Sequence, residues 1–205
     1  MMHTTPHQVV VDKVNIVLAS RSPRRSELIQ RLGISPHVVP ADIDETPLAG
    51  ETPVAYVERL AREKARVVHA QHLGEVVLGA DTTIDVDGRI LGQPENETHA
   101  RTLLRQLSGR THRVHTGVAV IDAMGERATV VTTLVTFHPV SDESLDWYIE
   151  TGEWQGKAGA YAVQGLGATL VERVRGSVSN VIGLPLRETA HLLGRELDLS
   201  GSDLG

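Results

Sequence analysis

Three arginines, Arg21, Arg24 and Arg25, crowd one turn of the segment ASRSPRR, and each guanidinium can donate paired hydrogen bonds to a phosphate or a carboxylate. Downstream come an acidic loop with Asp42, Asp44 and Glu45, a lone Lys64, an aspartate in Gly79-Ala80-Asp81-Thr82, and Lys157, Tyr161 and Gln164 spaced among glycines. The arginines point to a polyphosphate or to pairing with acidic neighbours. The acidic loop in turn admits a metal or an ion pair.

These residues need elements to hold them. Ile16, Val17 and Leu18 make a continuous apolar run, as expected of a strand covered on both faces. Ser22 can cap a following helix that ends near Gly33, and Pro23 suits its first turn. The arginines then sit at the positive end of the helix dipole, where each cation is disfavoured by about 0.3 to 1 kcal/mol. A bound anion reverses that sign, and free N–H groups at a helix start suit phosphate.

A short strand at 37–39 precedes the acidic loop, bounded by Pro40 and Pro47. Thr52 and Pro53 open a second helix to about Ala70, whose inward stripe is Val57, Leu60, Ala61, Lys64 and Val68. A lysine there is either a snorkelling stem or, beside a phosphate site, a ligand. Val76, Val77 and Leu78 predict a strand ending in Gly79-Ala80-Asp81-Thr82, which places Asp81 where open α/β sheets carry ligands and makes it the general-base candidate.

Asp87-Gly88 between apolar runs predicts a hairpin beside Asp81. A helix from Asn96 to Leu107 presents Ala100, Leu103, Leu104 and Leu107 inward, and strands at 112–121 and 128–137 form a second hairpin. His112 and His115 fall on opposite faces and make no metal pair. Ser141 caps a helix that stops at Gly152, and residues 153–167 form the most loop-like stretch, with four glycines that allow close backbone approach to a ligand. A strand at 169–174 and a helix from Pro185 to Leu197 close the fold. Residues 1–13 read as a loose leader, 14–197 as one domain and 198–205 as a polar tail.

The 205 residues are 40% apolar and 22% charged, an ordinary globular balance, and the formal charge of -6 offers no basic field for nucleic acid. The expected ligand is therefore a small molecule. With no cysteine there is no disulfide, thiolate nucleophile or Cys-bound metal, so acid-base work falls to carboxylates, histidines and lysines. No signal peptide or membrane-length apolar run is visible, and a cytoplasmic protein is expected.

Taken together, ASRSPRR, DIDE, Lys64, GADTT, KAGAYAVQG and SNVIGLPL resemble, in order and spacing from Val14 to Glu196, the Maf family of nucleoside triphosphate pyrophosphatases. The resemblance implies a mixed twisted α/β sheet with flanking helices and two lobes around a cleft, like the inosine triphosphate pyrophosphatases. It also implies a divalent metal, Mg²⁺ or Mn²⁺, and a homodimer. Asp81 stands where the family has its proton acceptor, and Glu45 matches the acidic-loop glutamate, so that Glu45 and Asp81 would share the metal. Ser20, Arg24 and Arg25 match the phosphate turn, and Lys64 and Lys157 match the family's lysines. Arg24, Thr82 and Gln164 match the residues marking the branch that acts on dTTP and UTP.

Such hydrolysis needs charge neutralisation on the phosphates, a polarising metal and a base for water. The arginines and lysines, the Glu45–Asp81 pair and Asp81 supply these in turn. Gln164 offers a donor and an acceptor, matching O4 and N3–H of uracil or thymine. Two positions depart from the family: Gln93 replaces a usual lysine and Gly156 a usual aspartate, which predicts a weaker phosphate or metal grip. The competing readings are a 7-methyl-GTP pyrophosphatase, whose branch differs at the three marker residues, and a nucleotide-binding regulator of septum formation.

Overall fold

Residues 16–195 are described by the computed structural model. The expected leader at 1–13 and tail at 198–205 lie outside the described residues. Strand β1, Ile16–Ala19, is buried along its whole length and leads into helix α1, Pro23–Gln30. Ser22 takes the N-cap position without making the expected side-chain cap; its N–H donates instead to Ser20 Oγ at 3.2 Å. Ser20 therefore organises the turn.

After the short strand β2, His37–Val38, helix α2 runs Pro53–His69, with Thr52 Oγ1 accepting from Ala55 N–H. Its expected inward stripe is buried, Lys64 included. Each buried leucine or valine there contributes about 1.5 to 3 kcal/mol, which offsets the cost of keeping an ammonium in the same row.

Strand β3 spans Val76–Val86 without interruption, so Asp81 lies in mid-strand and not at the strand end expected from sequence. The reason is visible in the pairing. One edge of β3 is occupied over residues 77–85 by strand β5, Thr111–Asp122, in antiparallel register. The other edge is shared by two partners: β1 runs parallel to residues 76–79, and strand β4, Arg89–Leu91, runs antiparallel to residues 84–86. Between them, residues 80–83 have no strand on that edge. Asp81 thus stands just past the end of β1, and the ligand-binding position of an α/β sheet is kept although the strand continues.

Asp87 and Gly88, with φ of 54° and 81°, make the two-residue turn that returns β4. Helix α3, Glu97–Leu107, has Asn96 as its cap, and β5 pairs along its length with strand β6, Gly125–Phe137. Helix α4, Asp142–Glu150, and two short 3-10 turns, Ala158–Ala160 and Leu166–Leu170, precede strand β7, Val171–Arg175. A helix α5 that sequence reading left unassigned covers Val178–Ile182. Helix α6, Leu186–Leu192, stops short of the expected Leu197; Gly194 follows with φ of 70°.

The mixed sheet has the order β2-β1-β3-β5-β6-β7, with β4 beside β3. One buried cluster gathers Leu18, Leu28, Leu78 and Leu184, a second Val17, Ala61, Ala65 and Val77, and a third, at the antiparallel end, Leu104, Phe137 and Tyr148. Helix α2 lies directly on the sheet. A Cβ at Gly79 would overlap the Ala61 carbonyl, and one at Gly117 the Val57 carbonyl. Two glycines in adjacent strands thus set the approach that brings Lys64 to Asp81.

Candidate active site

A cleft of about 690 Å³ opens over the break between β1 and β4. Ser20, Arg24, Arg25, Glu45, Lys64, Asp81, Thr82, Lys157 and Gln164 all line it, so every site residue expected from sequence reaches one cavity. The strand alternation divides them. Asp81 faces α2, whereas Thr82, next in β3, faces α1 and α5.

On the first face Lys64 Nζ lies 2.7 Å from Asp81 Oδ1 and 2.8 Å from Glu45 Oε1. Lys64 is the centre of a three-member ion cluster, its ammonium held between two carboxylates and not carried out to solvent. Burial pushes the Asp81 carboxyl above its ordinary range, and Lys64 and Arg25 act against that rise. Glu45 is half exposed, held by its backbone: Tyr56 Oη donates to the Glu45 carbonyl at 2.9 Å. Burial, with Asp81 and Glu45 nearby, pushes the Tyr56 phenol up to about 12, so the proton stays on to make that bond.

Arg59, one turn on, forks onto Glu51 at 2.7 and 2.8 Å and reaches the Thr46 carbonyl at 3.2 Å. Tyr56 and Arg59 together tie the acidic loop to α2. Both escaped the sequence reading; the signal was their i, i+3 spacing on the helix that carries Lys64.

On the second face Arg25 donates to the Gly183 carbonyl at 2.9 Å, to Ser20 Oγ at 3.1 Å and to Thr82 Oγ1 at 3.0 Å. It is largely committed to protein acceptors. Arg24 is freer, with a contact to the Gly156 carbonyl at 3.5 Å, and burial holds its guanidinium below its ordinary value. Arg21 meets Asp42 at 3.9 Å with both side chains exposed, an ion pair of little energetic weight. The turn thus divides its cations between ion pairing, structure and the open cleft.

Lys157 turns onto the carbonyls of Glu153 and Gln155, and burial followed by the like charge of Arg24 lowers its ammonium. Glu153 accepts from Leu166 N–H and Gly167 N–H, both at 2.8 Å, and from Tyr148 Oη at 2.9 Å. The loop at 153–167 is therefore pinned by one carboxylate. Gln164 is exposed on the rim, as is Gln93, and Gly156 leaves only a backbone carbonyl beside Arg24.

His112 and His115 part company as expected. His112 Nε2 meets Tyr161 Oη at 2.9 Å, and burial pushes its imidazole down to about 4; His115 lies between Asp85 and Thr132. Among the described residues no three histidine or carboxylate groups gather as a preformed metal centre. Glu45 and Asp81 are brought together by the Lys64 ammonium between them, and two neighbouring carboxylates completed by phosphate and water oxygens are a donor set whose chemistry suits a hard divalent cation. The residues fit such an ion.

No helix among the described residues is long and apolar enough to cross a membrane. A solved structure of the Staphylococcus aureus Ham1 protein aligns with a TM-score of 0.43 at 19% identity, over 60% of this chain and 71% of that one, and adds nothing to the topology above. The chain is 53% identical over 184 residues to the dTTP/UTP pyrophosphatase of Myxococcus xanthus, covering 90% of this chain and 93% of that one. It is 54% identical to the dTTP/UTP pyrophosphatase of Anaeromyxobacter dehalogenans, covering 88% and 93%, and 48% identical to that of Methylobacillus flagellatus, covering 89% and 93%. The family model described as Maf-like protein matches residues 15–196, and with a match over nearly its whole length the chain belongs to the Maf family.

Proposed function

We propose that the protein is a nucleoside triphosphate pyrophosphatase that hydrolyses dTTP and UTP to the monophosphate and pyrophosphate. The observation that carries the reading is the placement of Asp81 at the break in the sheet, flanked by Lys64 and Glu45 and facing the arginine turn across one cleft. The names of the relatives supply the substrates.

Asp81 is the proton acceptor for the attacking water. Lys64 and Arg25 favour its ionised, basic form against the rise that burial causes. Arg24, Ser20 and Lys157 take the phosphate oxygens, and the departing pyrophosphate carries the negative charge that these groups neutralise. Glu45 and Asp81 would hold a Mg²⁺ or Mn²⁺ ion, which when bound polarises the phosphates and lowers the pKa of water. Gln93 and Gly156, lacking the usual charges of the family, leave the rim less cationic and Arg24 less neutralised.

In the same reading the enzyme is a cytoplasmic homodimer, which sedimentation of the purified protein tests. Phosphorus NMR of the UTP reaction tests the chemistry: monophosphate and pyrophosphate in equal amounts are expected. Stepwise release of orthophosphate would overturn the assignment.

A further inference from the structure

Behind the cleft a line of hydroxyl groups leads into the core. Thr82 Oγ1 lies 2.9 Å from Thr116 Oγ1, its neighbour across the β3–β5 pair, and Thr116 Oγ1 lies 3.0 Å from the Asn180 carbonyl. Thr116 and Asn180 are fully buried, whereas Thr82 reaches the cleft. Each hydroxyl has one proton to give.

The directions of these bonds follow from counting. A carbonyl can only accept, and Leu184 N–H, which would reach the Asn180 carbonyl in a continuing helix, goes instead to Ser179. Thr116 therefore gives its proton to Asn180, because a buried carbonyl left unpaired is costly. Thr116 can then only accept from Thr82. The alternative acceptor for Thr82, the Gly183 carbonyl, is at 3.5 Å, a much poorer bond. Arg25 meanwhile donates to Thr82 at 3.0 Å. The Thr82 oxygen has thus spent its proton inward and one lone pair on Arg25, and what remains is a lone pair.

We propose that Thr116 is a positioning residue that fixes the Thr82 hydroxyl as an acceptor, so that the cleft selects a nucleobase bearing an N–H donor beside a carbonyl. The inference rests on the proposed function, which supplies the nucleotide; its new element is the part that Thr116 plays behind Thr82. A guanidinium has five N–H donors, three of which Arg25 gives to protein atoms, so cationic donors adjoin the Thr82 lone pair. Acceptor beside donor complements the imide edge of uracil and thymine, N3–H beside a carbonyl. Cytosine presents the reverse pattern, and its N3 lone pair would face that of Thr82. The surrounding wall, Ile84, Val181 and Ile182, suits the ring faces of a base. Gln164, exposed on the rim and free to rotate its amide, carries no such fixed polarity.

The test compares kcat/KM for UTP and CTP in wild type, Thr116→Val and Thr116→Ser. Valine keeps the shape and frees the Thr82 proton, so the preference for UTP should fall about tenfold, with part of the change a gain on CTP. Serine restores the hydroxyl and should restore the preference, which a merely structural role would not do. Wild type should also use 3-methyl-UTP, which lacks the donor, about tenfold less well than UTP. Turnover of 3-methyl-UTP at the UTP rate, or an unchanged preference in Thr116→Val, overturns the inference. The first outcome does so even where the valine variant fails to fold. A wild type that hydrolyses neither UTP nor dTTP sinks the proposed function and this inference with it.

Discussion

The Lys64 ammonium lies 2.7 Å from the Asp81 carboxylate, and both side chains are buried. Buried ion pairs often return less than their desolvation costs, so this pair is better understood as equipment for the reaction than as a source of stability.

Asp81→Asn keeps the side-chain shape and an acceptor for Lys64, with Glu45 still facing the ammonium, so the fold should persist. Turnover should fall by about 10²- to 10⁴-fold through loss of the base. A well-folded variant retaining more than about a tenth of the wild-type rate would remove Asp81 from that role.

The pH dependence follows from the same carboxyl. Burial raises it, so the acid limb of the rate profile should lie above the ordinary aspartate value of about 3.9. Lys64→Met removes the strongest opposing charge and should move the limb further up. For stability the sign is the reverse of the usual aspartate. A raised carboxyl favours the fold below its unfolded value, and that contribution is lost as pH rises through the folded value, so Asp81→Asn should gain on wild type in melts at higher pH. A limb unmoved by Lys64→Met would separate the two residues functionally.

Gln93→Lys returns a cation to the cleft rim. Because the position is exposed, the gain in triphosphate binding should be about 1 kcal/mol or less. Steady-state KM values for UTP at low and high salt check this; an unchanged KM at low salt would mean that the side chain points away from the phosphates.

Gly79→Ala drives a methyl group into the Ala61 carbonyl and to within 2.8 Å of Ala65 N. Backbone cannot swing aside as a side chain can, so a loss of about 3 kcal/mol or more is expected in urea titrations. Rate should fall as well, because α2 must lift and carry Lys64 from Asp81.

Much of this was legible in the chain itself. The inward stripe of α2, with Lys64 in it, and the Asp87-Gly88 turn follow from periodicity and local chemistry, and both stand as read. Mid-strand Asp81 was misplaced because a strand's end is judged from its own residues, whereas this one is set by where its neighbour β1 stops. Tyr56, Arg59 and Thr116 were missed for a related reason: each acts through a partner outside its own helix or strand, a loop carbonyl, Glu51 or Asn180. Arg25 was read as a phosphate ligand from its company in the turn, whereas the folded chain gives it three protein acceptors, Ser20, Thr82 and Gly183, of which the last two are distant in sequence.

The break beside residues 80–83 has a mechanical side. Strand β3 passes beneath the cleft unbroken and is paired to β5 along the whole stretch, so the two walls share one stiff floor and cannot hinge about it. The rims above that floor are held as well, the acidic loop by Tyr56 and Arg59 and residues 153–167 by Glu153. Asp81 stands on that floor, fixed by the register of the β3–β5 pair.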